Sequence, residues 1–326
     1  MNVEPIEKYA LHTQIKKKGR LQKVGLIGCG NMGQDIAHLV AANGFNVVFI
    51  DLSEVRVSEV FIELNQKLDN IIDKWGLTES EKRAILSRIH GSTDYNEIGE
   101  CDIVIETINS RRPGTSLDIR KEVFRKIESV VREETVIASN TSTLVISELA
   151  SVLKRPERAV GLHFLPSIAS GSIIEVVRGM YTNQQSVEFV EKFARTIGMR
   201  VIPLVESPGN VSTRLIVVLI NEACETLMEG VASATNIDTT MKLGFGLQLG
   251  PLEMADRIGL DKVIKWMNNL YQEFGERKFK PSPIIKKLYR LGYFGRRNGQ
   301  GFYVYENNRI VGETITCPEI VIPKTQ

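Results

Sequence analysis

Gly28-Cys29-Gly30-Asn31-Met32-Gly33 decides the fold of this chain, because of what stands on either side of it. Before it comes the short apolar run Val24-Gly25-Leu26-Ile27, and after it Ile36, Ala37, Leu39 and Val40 recur at helical spacing. The order is strand, glycine turn, helix. Asn43-Gly44 then ends the helix with a residue suited to a left-handed cap, and Val47-Val48-Phe49-Ile50-Asp51 follows as a buried strand. In such a βαβ unit each glycine has its own task. Gly28 permits a tight turn, Gly30 lets backbone approach a pyrophosphate, and Gly33 lets helix and strand pack closely. The amides of Asn31 and Met32 open the helix, where an anion is favoured. Asp51, at the end of the second strand, has the position of an acid that binds a ribose 2′-hydroxyl and repels a 2′-phosphate. The unit is therefore expected to hold NAD rather than NADP.

Further along, Ile103-Val104-Ile105, Thr135-Val136-Ile137-Ala138, Ala159-Val160-Gly161-Leu162 and Val201-Ile202-Pro203-Leu204 have the same apolar look, with helical stretches between most of them. This alternation predicts a mainly parallel, doubly wound sheet of Rossmann type. A helical hairpin is inserted after the second strand. Its first arm runs roughly from Val55 to Trp75, and Thr78 caps the second with Glu81 three residues on. At Glu206-Ser207-Pro208-Gly209 the texture changes and the strand-like runs stop. Thr213 to Gly230 then reads as a long helix with a wide apolar stripe through Leu215, Val218, Leu219, Ala223 and Leu227, and shorter helices follow around Ile237, Leu252, Val263 and Ile284. The expected α/β architecture has three parts: an N-terminal extension over 1–20, a dinucleotide-binding domain over 21–206 and an all-α domain over 207–326.

Composition narrows the function. A net charge of +2 over 326 residues provides no basic field for nucleic acid, so small metabolites are the expected partners. The four cysteines, Cys29, Cys101, Cys224 and Cys317, form no CxxC pair, which argues against a zinc ribbon or a disulfide framework and for a reducing, cytoplasmic setting. No signal-type segment and no apolar window of membrane-spanning length is found, so no membrane partner is expected. The Lys16-Lys17-Lys18-Gly19-Arg20 run reads as solvated.

With four histidines in the chain, His12, His38, His90 and His163, the search for a general base is short. His163 follows the Ala159–Leu162 run, at the carboxyl edge where doubly wound sheets bind ligands. Glu175, twelve residues on, lies in the extended run Ser172-Ile173-Ile174-Glu175-Val176-Val177, which can return antiparallel across a loop holding Pro166. The carboxylate would then fix the imidazole tautomer while His163 takes a hydroxyl proton. On spacing alone, a structural histidine beside a strand competes with this dyad.

The chain resembles the 3-hydroxyacyl-CoA dehydrogenases, including the 3-hydroxybutyryl-CoA dehydrogenases, from about Val24 to Tyr305. The motifs that carry the resemblance are Gly28–Ala37, Ser139-Asn140-Thr141-Ser142-Thr143, Gly161-Leu162-His163-Phe164, Glu175-Val176-Val177, Ser207-Pro208-Gly209, Asp238–Gly244, Gly250-Pro251-Leu252-Glu253 and Gly299-Gln300-Gly301-Phe302-Tyr303. The resemblance implies an acid/base role for His163, an orienting role for Glu175 and a substrate hydrogen bond from Ser142. It also implies cofactor contacts from Arg120 and Arg297, a CoA-phosphate contact from Lys74, and a homodimer. For Lys74 an ordinary solvated helix lysine is the competing reading. The departures fall around the substrate. Pro166 and Thr213 stand where the family has asparagines, Ser110 stands where it has a glutamate, and Arg111-Arg112-Pro113-Gly114-Thr115 reads as an insertion. Pro166 has neither side-chain amide nor backbone donor, and Thr213 offers one donor where an amide offers two. The implied activity is NAD-dependent interconversion of an (S)-3-hydroxyacyl-CoA and its 3-oxoacyl form. The alternatives are a related enzyme for a carrier-protein thioester or a free hydroxy acid, and an NAD-binding, crystallin-like protein without turnover.

Overall fold

A computed structural model describes residues 22–74, 76–108, 116–165 and 173–315. The N-terminal extension, Trp75, Ser110, the Arg111–Thr115 segment, Pro166 and Cys317 lie outside the described residues.

The first half of the chain alternates strands and helices in the expected manner. In order these are β1 (Lys23–Ile27), α1 (Asn31–Ala42), β2 (Asn46–Ile50), α2 (Glu54–Ile72), α3 (Glu79–Leu86), β3 (Ile89–Ser92), β4 (Ile103–Glu106), α4 (Ser116–Val130), β5 (Val136–Ser139), α5 (Ile146–Ala150), β6 (Ala159–Phe164), β7 (Ile173–Arg178), α6 (Gln184–Thr196) and β8 (Arg200–Val205). Together the strands make one sheet in the order β3-β2-β1-β4-β5-β6-β7-β8. β6 and β7 pair antiparallel; every other neighbouring pair runs parallel.

The inserted hairpin is α2 and α3. Ser53 caps α2, and Thr78 with Glu81 closes a full capping box on α3, as the Thr-x-x-Glu spacing predicts. The apolar pattern does not predict β3. Its sequence Ile-His-Gly-Ser is short and polar, and only its pairing with β2 makes it a strand. A glycine is needed at position 91, because a Cβ there would run into the ring of Phe49 and a methyl of Val57. β6 is longer than its apolar run, reaching Phe164, since its last three residues pair with β7 alone.

One apolar cluster fills each side of the sheet. Leu26, Ile36, Phe49, Leu64 and Phe164 are among the residues on one side, and Ile27, Ile98, Phe124 and Leu149 among those on the other.

Beyond the Pro-Gly break follow α7 (Ser212–Met228), α8 (Ala234–Thr239), α9 (Pro251–Ile258), α10 (Leu260–Phe274) and α11 (Pro283–Arg290), which share a separate core built on Val217, Ile220, Leu252, Met267 and Phe279. The apolar stripe of α7 divides: Ala223 and Leu227 enter this core, whereas Leu215 is 68 % exposed. An all-helical second half is correct up to α11, after which β9 (Tyr303–Glu306) and β10 (Arg309–Glu313) form a hairpin. Buried carboxylates anchor it. Asp256 accepts from the Phe302 and Tyr303 amides at 2.9 and 3.0 Å and from the Tyr305 hydroxyl at 3.1 Å, and Asp238 accepts from the Tyr303 hydroxyl at 2.8 Å. These acceptors lie 46 or more positions away in sequence, so strand periodicity carries no sign of them.

Candidate active site

Strand order reverses between β1 and β4, which opens a crevice at their carboxyl ends, and the glycine turn lies there. Gly28 has φ +84°, a left-handed conformation that L side chains rarely adopt, and its amide donates to the Ile50 carbonyl at 2.8 Å. Gly30 is extended, and a Cβ built on it would meet nothing within 4 Å, so the backbone is bare on that side. A Cβ on Gly33 would come within 2.5 Å of the Gly28 carbonyl oxygen. Gly28 and Gly33 thus serve turn and packing as predicted, and Gly30 leaves its backbone open. α1 begins at Asn31 with no side-chain cap, in contrast to α2, α3 and α6. Its first amides are therefore free for an anion supplied from outside, and the donor set fits a dinucleotide pyrophosphate.

Asp51 does more than end β2. Its Oδ2 accepts from the Cys29 amide at 2.9 Å and its Oδ1 from the Leu52 amide at 2.8 Å, so the acid at the strand end also holds the turn closed. Beside it, Arg56 grips Glu63 at 2.8 and 2.9 Å and reaches the Cys29 carbonyl at 3.4 Å. Nothing in the sequence singles out this cation.

His163 and Glu175 are direct cross-strand partners in the β6–β7 pairing. The imidazole Nδ1 lies 2.7 Å from Glu175 Oε2, with the residues 4 % and 3 % exposed. Two more donors hold the carboxylate. The Ser212 amide reaches Oε1 at 2.9 Å, and the Ser212 hydroxyl reaches Oε2 at 2.8 Å. Burial alone would raise the Glu175 pKa, but the hydrogen bonds from His163 and Ser212 outweigh it and hold the carboxyl below the usual glutamate value. Asn140 Oδ1 accepts the Phe164 amide at 2.8 Å, which ties the loop after β5 to the residue following the histidine. Half-buried Ser142 lies two positions on in that loop, and its neighbour Thr143 accepts from Asn269 of α10 at 2.8 Å. Thr213, 2 % exposed, follows Ser212 at the start of α7.

The remaining expected contacts are more scattered. Lys74 is exposed beyond the end of α2. Arg120 is buried and ion-paired with the fully buried Glu106, and it also donates to the Ser139 hydroxyl and the Ile108 carbonyl. Its charge is thus balanced within the protein, which the resemblance does not anticipate. Arg297 pairs with Asp261 at 3.0 Å and lies over the Phe294 ring, leaving it half-exposed. Besides Arg56, sequence reasoning passes over Ser212, because a serine at a helix start reads as an ordinary cap. The one sign of it in the sequence is its place, shortly after the Pro-Gly break.

The fold and the turn define a dinucleotide-dependent dehydrogenase class. The 3-hydroxyacyl-CoA dehydrogenase NAD-binding domain model matches residues 23–207, and the 3-hydroxyacyl-CoA dehydrogenase C-terminal domain model matches 209–305. A 3-hydroxybutyryl-CoA dehydrogenase of Bradyrhizobium diazoefficiens is 35 % identical over 291 residues, covering 89 % of this chain and 98 % of its own. Among solved structures, (S)-3-hydroxybutyryl-CoA dehydrogenase PaaH1 of Ralstonia eutropha is 38 % identical with a TM-score of 0.79, covering 88 % of this chain and all of its own. FadB2 of M. tuberculosis superposes with a TM-score of 0.84 at 28 % identity, over 88 % of this chain and 99 % of its own. The chain belongs to the 3-hydroxyacyl-CoA dehydrogenase family and is an NAD-dependent dehydrogenase.

Proposed function

We propose that the protein interconverts an (S)-3-hydroxyacyl-CoA and the corresponding 3-oxoacyl-CoA, with His163 as acid/base and Glu175 orienting it. The observation that carries this reading is the buried His163–Glu175 contact at 2.7 Å. A neutral imidazole that donates Nδ1–H to the carboxylate presents a lone pair on Nε2, so the ring is ready to take the substrate hydroxyl proton there. Bound NAD supplies the hydride acceptor. As the proton arrives, Glu175 stabilises the imidazolium; in reduction the same proton returns to the forming alcohol. Ser142, in the loop fixed by Asn140, supports the substrate oxygen. Gly28, Gly30, Asn31, Met32, Gly33 and Asp51 hold the cofactor, with Arg297 at the rim, and Lys74 meets the CoA phosphates. Arg120, paired with Glu106, Ser139 and the Ile108 carbonyl, supports the cofactor crevice at the carboxyl ends of β4 and β5.

The domain division is proposed at 206/207, supported by the separate core beyond Val217. Leu215, Met228 and Val231, 68, 45 and 60 % exposed, supply an apolar face for a homodimer. A cytoplasmic enzyme is consistent with Cys29, Cys101 and Cys224, which are all free and buried.

The test is acetoacetyl-CoA reduction with NADH. For His163→Ala the rate is expected to fall by about 10²- to 10⁴-fold with NADH binding intact, the usual worth of a positioned acid/base. An unchanged rate overturns the assignment. A wild-type rate that is negligible with acetoacetyl-CoA but substantial with free acetoacetate overturns the choice of thioester.

A further inference from the structure

Ser212 belongs to the second helical half of the chain, yet both of its donors end on Glu175, a residue of the sheet. Glu175 therefore receives three hydrogen bonds: one from the imidazole, one from a hydroxyl and one from the leading amide of α7. α7 is 17 residues long, and the residue before its first turn is Val211, which offers no side-chain cap. The carboxylate stands at the positive end of that helix, in place of the cap that Val211 cannot provide. Each donor draws charge from the carboxylate and so weakens its hold on a proton at the imidazole. The two bonds also leave the carboxylate one orientation, since Oε1 is taken by the amide and Oε2 is shared between Ser212 and His163.

We propose that Ser212 is a positioning residue through which the helical half of the protein sets both the orientation and the proton affinity of the His163–Glu175 pair. The proposal rests on the dyad reading above. Its consequence is that the base is complete only when α7 is seated against β7. Any motion that lifts the helical half off the sheet removes two of the three hydrogen bonds to Glu175 at once.

The experiment is the pH profile of kcat/KM for hydroxyacyl-CoA oxidation in Ser212→Ala, Ser212→Thr and wild type. Ser212→Ala keeps the backbone donor and removes the hydroxyl. A more fully charged Glu175 then retains the imidazole proton to higher pH, so the acid limb of the profile, where the base must be neutral, moves up by roughly half a unit to one unit. At the optimum kcat falls about tenfold, the scale of one hydrogen bond to a charged group. NADH affinity, read by fluorescence, is unchanged. Ser212→Thr retains the hydroxyl and is expected to restore the wild-type limb. In a Glu175→Gln background Ser212→Ala has no further effect on the limb.

A Ser212→Ala profile that superimposes on wild type overturns the proposal, as does a loss of rate without any shift that Ser212→Thr fails to rescue. Failure of the dyad reading is separate: it would appear as full activity in His163→Ala, whatever Ser212→Ala does.

Discussion

The N-termini of α1 and α7 both meet the sheet, and they are finished in opposite ways. At α7 the leading amide and the Ser212 hydroxyl are used by Glu175, an anion the protein supplies itself. At α1 no side chain caps the first turn, and Gly30 leaves open space where a side chain would stand. The same local physics, unpaired amides at the positive end of a helix, gives a fixed carboxylate beside His163 in one place and a terminus open to an incoming phosphate in the other. The difference lies in whether a residue distant in sequence is brought to the helix end.

Breaking the filled terminus has the largest expected effect. Glu175→Gln keeps shape and one acceptor but removes the charge that stabilises an imidazolium, so kcat is expected to fall between about 10²- and 10⁴-fold in steady-state assays while the NADH dissociation constant holds. Filling the open terminus comes next. Gly30 has φ −73° and ψ −166°, which any residue adopts, so Gly30→Asp should fold. Aspartate is a preferred N-cap, and the melting temperature is expected to stay level or rise slightly. NADH affinity in the same variant should drop on the order of a hundredfold, the size of a like-charge contact at ~5 Å in a half-buried site. Tight NADH binding by this variant would mean that α1 does not receive the pyrophosphate.

Another buried carboxylate widens the contrast, because Asp256 has hydrogen-bond donors but stands at the start of no helix. Burial, with Asp238 nearby, pushes its carboxyl up to about 7. A folded-state pKa raised above the unfolded 3.8 means that the contribution to stability is complete below pH 4 and is lost as pH rises through 7. Urea unfolding between pH 4 and 7 should accordingly show declining stability from this group, by at most about 1.4 kcal/mol per pH unit. Asp256→Asn is expected to flatten that slope, and an unaltered slope would assign it elsewhere. The smallest effect is expected at Asp51. Asp51→Asn retains one acceptor for the turn, so NADH binding should weaken only about five- to tenfold, with discrimination against NADPH reduced.

Much of the site is legible in the amino-acid sequence. Glycine roles, the acid at the end of the second strand, the capping box of α3 and the antiparallel return of Glu175 beside His163 all follow from residues close in sequence or from a simple strand pair. The features that the sequence does not reveal depend on long-range contacts. β3 is a strand only because β2 offers it an edge. The β9–β10 hairpin is held by Asp256 and Asp238, far back in the chain. The resemblance implies a cofactor cation in Arg120, but Glu106, fourteen positions away on β4, balances its charge.

By itself, then, the sequence pointed to the dinucleotide-binding unit and to an antiparallel return that brings Glu175 beside His163, because turn chemistry, helix periodicity and strand alternation act over a few residues. Only the tertiary structure decided how that pair is held. Ser212 reaches Glu175 across 37 positions of chain, and hydrogen bonds between distant residues form where packing brings the groups together, at a cost in chain entropy that no local pattern records.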